Sequence, residues 1–322
     1  MNSEADPGTG AAGLHPIGVA ARRSGVAEHL LRAWERRYAA VRPVRGLDGA
    51  RLYTDADVER LRLLRLAAAA GRPIGRLAAL PDAELAALVQ GDGAAPSPAP
   101  RTGVGRAAAL VDAALDATRG LDGAAAQREM RRAAVSLSPG DFVEHFAVPL
   151  LRRTGELWAD GEITAAHEHV ASAALRGVLA WLLDAFHAPA EAPLLVAGTP
   201  AGHAHEFGAM LACVTAGDEG WRTLYLGPDL PARDLAAAAV GAEAAAVAIS
   251  ALLPRDAAAT AREVAALRRA LPAATHLVLG GAALDAEAGY AARGTTRARD
   301  YTELRSVLRA LARGRGAPAE GR

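Results

Sequence analysis

The spacing of apolar and polar positions changes character twice along the chain. From Leu14 to about Leu80, short stretches with helical spacing alternate with turn residues, and arginines crowd the polar positions. From Ala107 to His187 the spacing is helical throughout, broken at "RGLDG", "LSPGD" and "ADGEI". Four helices fit that interval, as in a bundle. After "HAPAEAP" the period shortens. The apolar runs "LLVAG" (194–198), "RTLYLG" (222–227), "AAAVAIS" (244–250) and "HLVLGG" (276–281) are each closed by small residues. Helical segments at 205–216, 231–240 and 256–270, and one after Gly281, separate them. A last short strand near Thr296 to Arg299 leads into the helix "YTELRSVLRALARG". Continuous apolar strands alternating with helices predict a parallel, doubly wound sheet.

Between the first two regions lie a weak helix, "DAELAALVQ", and the Pro/Gly/Ser-rich "GDGAAPSPAPRTGVG", the best linker in the chain. The opening "MNSEADPGTGAA" is small and polar and is expected to be disordered. The divisions expected are therefore 14–82 for an N-terminal head, 83–105 for a linker, 106–188 for the bundle and 192–314 for the α/β domain. A length of 322 residues fits such a multidomain arrangement, and 51% hydrophobic residues can fill more than one core. The single Cys213 excludes an intramolecular disulfide framework and suits a reducing compartment. No secretory leader opens the chain and no apolar run reaches transmembrane length, so a cytoplasmic location is expected.

Net charge is zero overall but not locally. From Leu14 to Leu80 thirteen Arg face six acids, a footprint expected of phosphate binding as well as of a solvated helical face. No Lys occurs anywhere, so an Arg here is weaker evidence for bidentate recognition than usual. "IGVAARRSGVAEHLLRAWERRY" reads as a short helix, a turn at Ser24-Gly25 and a second helix beginning near Ala27. That is a helix-turn-helix pattern, whose second helix enters the major groove. "RPVRGLDGARLY" follows, with Arg42, Arg45 and Arg51 on a turn-rich excursion suited to a wing. Thr54 and Asp57 form a capping-box variant for the next helix, with Gly71 as its stop. The layout resembles the MerR-family winged helix-turn-helix. That resemblance implies operator-DNA binding, with Arg32 and Trp34 on the second helix and Arg51 and Tyr53 on the wing gripping the backbone. Arg22 and Arg37 complete the expected DNA-binding set, and Trp34 and Tyr38 equally suit a core.

In an open α/β sheet, ligands sit at the C-terminal ends of the strands. "GTPAGHAHEFGAML" occupies that position after the first strand, with His203, His205 and Gly208. Ser250 and Leu252 follow the third strand, and Gly280 and Gly281 end the fourth. These residues resemble the cobalamin-binding domain of methionine synthases and mutases, a flavodoxin- or Rossmann-like fold with the motifs Asp-x-His-x-x-Gly, Ser-x-Leu and Gly-Gly. The resemblance implies His205 as the lower axial cobalt ligand, with Glu206, Gly208, Ser250, Leu252, Gly280 and Gly281 around the cofactor. His203 stands where that family has an acid; a solvent-facing loop residue is expected there. Cys213 is expected to be packing, with a soft ligand as the alternative.

The bundle carries Trp158 with Glu168 and His169 ten and eleven residues on. Read alone, the polar pair is an exposed first helical turn. The order of head, bundle and α/β domain, with this Trp-x9-Glu-His motif, resembles the CarH/LitR group of light-sensing MerR-type regulators. The resemblance implies that Trp158, Glu168 and His169 cap the upper face of adenosylcobalamin. It also implies a homo-oligomer, a tetramer in the dark, that binds operator DNA and releases it when light cleaves the Co–C bond. Some members have a His directly after the Trp, which binds cobalt after photolysis; here it is Ala159. His167, His169 or water remain as upper ligands. Two further readings stay open: a regulator sensing cobalamin, redox state or another ligand without light, and a corrinoid methyl-transfer shuttle. A DNA-reading head argues against the shuttle and against an enzyme.

Overall fold

The computed structural model describes residues 13–46, 49–69, 72, 74–91, 103–252, 256–284 and 292–316. The polar opening, the proposed stop at Gly71 and linker residues 92–102 lie outside these. The chain divides into two compact units, residues 1–102 with 131–138, and 103–130 with 139–322.

In the head, strand β1 (Leu14–Pro16) precedes helices α1 (Ile17–Ser24) and α2 (Glu28–Tyr38). Strands β2 (Val44–Arg45) and β3 (Arg51–Thr54) follow, then α3 (Asp55–Ala69), α4 (Ile74–Leu77) and α5 (Asp82–Gly91). The three strands form an antiparallel sheet of order β1-β3-β2, so the expected wing is a hairpin. The turn between α1 and α2 needs Gly25, which ends α1 in the left-handed region at φ 73°. Thr54 N–H donates to Asp57 Oδ2 at 2.9 Å and Asp57 N–H returns the bond to Thr54 Oγ1 at 3.1 Å. This is the reciprocal cap expected of the pair. Helix α5, at the start of the expected linker, buries Leu85 fully and packs on α3.

Four helical rods follow as expected, all in the second unit except residues 131–138. They are α6 (Gly103–Arg119), α7 (Gly123–Ser136), a continuous rod, and α10 (Ala165–Ala185). The continuous rod comprises α8 (Pro139–Asp141), a π-helical stretch (Phe142–Ala147) and α9 (Val148–Ala159). Next come β4 (Leu194–Gly198), α11 (Phe207–Asp218), β5 (Arg222–Tyr225), α12 (Ala232–Gly241) and β6 (Ala246–Ser250). The chain continues through α13 (Ala257–Ala270), β7 (His276–Gly280), a 3₁₀ turn (Ala282–Leu284), β8 (Thr295–Arg297) and α14 (Tyr301–Gly316). All five strands are parallel, in the order β5-β4-β6-β7-β8.

Alternate residues of the central strands feed two cores, which is why these strands read as unbroken apolar runs. Val196, Val247, Ile249, Leu277 and Leu279 pack with α12 and α13. Leu195, Ala197, Ala246, Ala248 and Val278 pack with α11 and α14. The connections leave β4 and β6 toward opposite sides, so the loops after these two strands flank the crevice where such sheets bind ligands. Residues 103–130 and 139–322 form one compact unit, within which α11 packs on both α10 and α8.

Candidate functional site

The loop after β4 carries both histidines, and they have different roles. Thr199 Oγ1 donates to the His203 carbonyl and accepts from Asp229 N–H at 2.9 Å, while Gly202 N–H donates to Asp229 Oδ1 at 2.7 Å. The loop is thus fastened to the segment after β5. His203 is only 5% exposed, against the expectation of a solvent-facing residue. Its Nε2 lies 2.9 Å from Thr260 Oγ1 on α13, and the Thr260 hydroxyl donates to the Asp256 carbonyl. With that hydrogen committed, Nε2–H of His203 is the donor. A buried polar ring wants such a partner, and the sequence offered no way to see one 57 residues away. His203 therefore anchors the loop. His205 remains exposed, immediately before α11, which starts at Phe207 rather than at 205.

Gly208, three residues after His205, meets the end of β6. A Cβ on Gly208 would overlap Ser250 Oγ, so the glycine and the serine at the end of β6 require each other. Gly281 has φ 98°, and its Cβ would overlap the Ala251 carbonyl oxygen. At Gly280 the protein places no such demand: the nearest atoms to an added Cβ are carbonyl oxygens 3.7 and 3.9 Å away. Leu252, 48% exposed, offers apolar surface beside this edge. Of the three glycines only Gly280 is free of close contacts, and His205 and Leu252 are exposed on the loops after β4 and β6. One exposed imidazole and exposed apolar surface suit a flat, largely apolar ring whose metal needs one protein base. Among the described residues no three His, Cys, Asp or Glu converge on a metal site. A metal already held by a macrocycle needs one protein base, and His205 can supply it.

Glu206, expected to touch cofactor, has its carboxylate committed elsewhere. Oε1 accepts from Arg176 Nε of α10 at 2.5 Å, and Oε2 accepts from the Tyr225 hydroxyl. Burial and the adjacent Glu206 push the Tyr225 phenol well above its ordinary range. The Arg176 guanidinium also lies 5.6 Å from the centre of the Phe207 ring. Arg176 and Tyr225 are functional candidates that sequence reasoning missed; no motif marks them. Cys213 is fully buried in the core on the α11 side of the sheet, and burial pushes its thiol up to about 12.

On the bundle side, Trp158 lies in the last turn of α9 and is 55% exposed. Glu168 and His169 begin α10; the Ser172 hydroxyl donates to Glu168 Oε1 at 2.5 Å. His169 is exposed. His167, a candidate upper ligand, is occupied as a cap: its Nδ1 accepts from Thr164 N–H at 3.1 Å. In the neutral ring the proton then sits on Nε2, which leaves no lone pair for a metal.

The head presents Arg22, Arg32 and Arg37 at its surface. Trp34 and Tyr53, expected on the DNA backbone, are 1% and 0% exposed and belong to the core. Tyr53 hydroxyl and Arg51 Nε both donate to Glu35, at 3.0 and 2.8 Å, which joins the wing to α2. Arg60 donates to the carbonyls of Ala40, Ala78 and Leu80, and the buried Arg65 donates to Ser24 C=O. Part of the basic excess therefore holds helix ends together.

Comparisons with known proteins agree with this anatomy. A model described as MerR HTH family regulatory protein matches residues 16–83. Two models, each described as B12 binding domain, match residues 110–183 and 193–310. The HTH-type transcriptional repressor CarH of Myxococcus xanthus is 32% identical over 270 residues, 83% of this chain and 88% of that protein. The repressor CarA of the same organism is 30% identical over 73% of this chain and 75% of its own length. Among solved structures, the monomethylamine corrinoid protein of Methanosarcina barkeri aligns with a TM-score of 0.51 at 18% identity, over 63% of this chain and 98% of that one. This last likeness concerns fold alone. The chain belongs to the CarH-like family of MerR-type, cobalamin-binding transcription regulators.

Proposed function

We propose that this regulator is a cytoplasmic, light-responsive repressor that takes adenosylcobalamin between bundle and sheet, binds operator DNA as a homo-oligomer and lets go on illumination. The observation that carries the reading is the face of α10. Glu168, Ser172 and Arg176 recur every four residues, a run of about 12 Å along the helix, and Arg176 ends it on Glu206, the neighbour of His205. One helix thus links the residues expected above the cofactor to the loop expected below it. When bound, the cofactor would supply a cobalt centre that takes one protein base and responds to visible light. His205 would be that base, while Ser250, Leu252, Gly280 and Gly281 would border the nucleotide tail. Trp158, Glu168 and His169 would bound the adenosyl side, with the exposed indole as its apolar wall. Dark assembly, as a tetramer, would bring several heads to one operator and raise affinity without new contacts per head. Ligand and light act only through different affinities for the two assemblies.

The test is an absorbance spectrum of the full chain with adenosylcobalamin, in the dark and after illumination. A His-ligated dark spectrum that changes with light, and that is lost in His205→Ala, supports the reading. Persistence of the His-ligated signature in that variant overturns the ligand assignment. Ala159 and the capped His167 favour a second reading, a cobalamin sensor without light. A dark spectrum that illumination leaves unchanged would select it. A methyl-transfer shuttle would fail to shift its own upstream DNA in a gel.

A further inference from the structure

Glu206 connects three elements within the second unit. Its backbone carbonyl accepts from Ala209 and Met210 at 3.0 and 3.1 Å, so it opens the hydrogen bonding of α11. One carboxylate oxygen takes Arg176 of α10 and the other takes Tyr225 at the end of β5. Its side chain is 12% exposed, against 51% for Arg176. A fully exposed pair would contribute little. Here, removing the cation leaves a largely buried carboxylate with half its partners, which costs more than an exposed pair gains. Arg176 also packs on Phe207, the first residue of α11, so α10 grips the start of that helix twice.

We propose that Arg176, Glu206 and Tyr225 form a latch that couples the seating of α10 to the presentation of His205. Glu206 is the residue after His205, so whatever fixes its side chain and carbonyl fixes where the imidazole stands. Arg176 shares a helix face with Ser172 and Glu168, so a displacement of α10 reaches the latch directly. These are positioning residues, not cobalt ligands. The inference rests on the functional reading above for its meaning, but the latch itself exists without cofactor.

The experiment is a double-mutant cycle on the full chain, free of cofactor, read by hydrogen exchange. Arg176→Gln, Glu206→Gln and the double variant are compared at the amides of Ala209 and Met210 and across α10. Each single variant should speed exchange at both segments by about tenfold, and the double should exceed neither. Arg176→Lys, which keeps the charge, should stay near wild type, and Tyr225→Phe should fall between. Additive effects, or changes confined to the substituted segment, overturn the latch. Circular dichroism confirms that each variant is folded. The second readout is the His-ligated fraction after mixing with adenosylcobalamin, which should fall in the same non-additive pattern. If the wild type takes up no cobalamin, the functional reading fails while the exchange data still decide the latch.

Discussion

At position 208 an added methyl group would overlap the Ser250 hydroxyl, and at 281 it would overlap the Ala251 carbonyl in a backbone already at φ 98°. Gly208→Ala should therefore cost about 1–3 kcal/mol of stability through overpacking. Ser250→Gly in the same chain should recover much of it, as a thermal melt would show. Gly280 is different, because nothing in the protein approaches an added Cβ closer than 3.7 Å. Gly280→Leu should leave the melting temperature within a few degrees and weaken cobalamin uptake at least tenfold; a large stability loss would show that the glycine serves the fold. Cys213 makes a pH-dependent contribution. Its thiol is held up to about 12 by burial, above the ordinary value of 9.0. Below the unfolded value the thiol is neutral in both states and its contribution is fully present. Between 9.0 and about 12 the unfolded state alone releases the proton, so stability falls as pH rises through that window. Cys213→Ala should flatten that part of a stability–pH curve.

The elements were legible where periodicity alone dictates them. Four rods, five parallel strands and the reciprocal Thr54–Asp57 cap follow from local spacing. The strand β1 was missed because three residues carry no period, and pairing with β3 defines them. Tertiary partners were equally invisible: the sequence around His203 does not reveal Thr260, and the charge count does not reveal that Arg60 and Arg65 serve helix ends. The placement of Ser250 and Gly280 at strand ends, by contrast, was readable because continuous apolar runs mark β6 and β7, where the two residues pair side by side. In the head, this separates two kinds of variant. Trp34→Ala should cost about 3–5 kcal/mol of folding stability, since the indole is core. Arg22→Ala, at an exposed position, should leave the melt unchanged and lower the salt dependence of DNA binding by about 0.9 in log–log slope. A slope equal to wild type would remove Arg22 from the DNA-binding set.

At the scale of the molecule, family membership joins a DNA-binding head to a cobalamin module in one chain. Helix α10 and the sheet share one compact unit, so under the proposed function a cofactor seated between them would alter how they pack, and assembly is the property through which several heads would feel it. No helix among the described residues is long and apolar enough to cross a membrane. The most direct measurement is size-exclusion chromatography of the adenosylcobalamin-loaded chain, kept dark and then exposed to green light. The account predicts a large dark species, near four chains, that elutes later after illumination and no longer retards operator DNA. An elution volume unchanged by light, with cofactor bound, would contradict it.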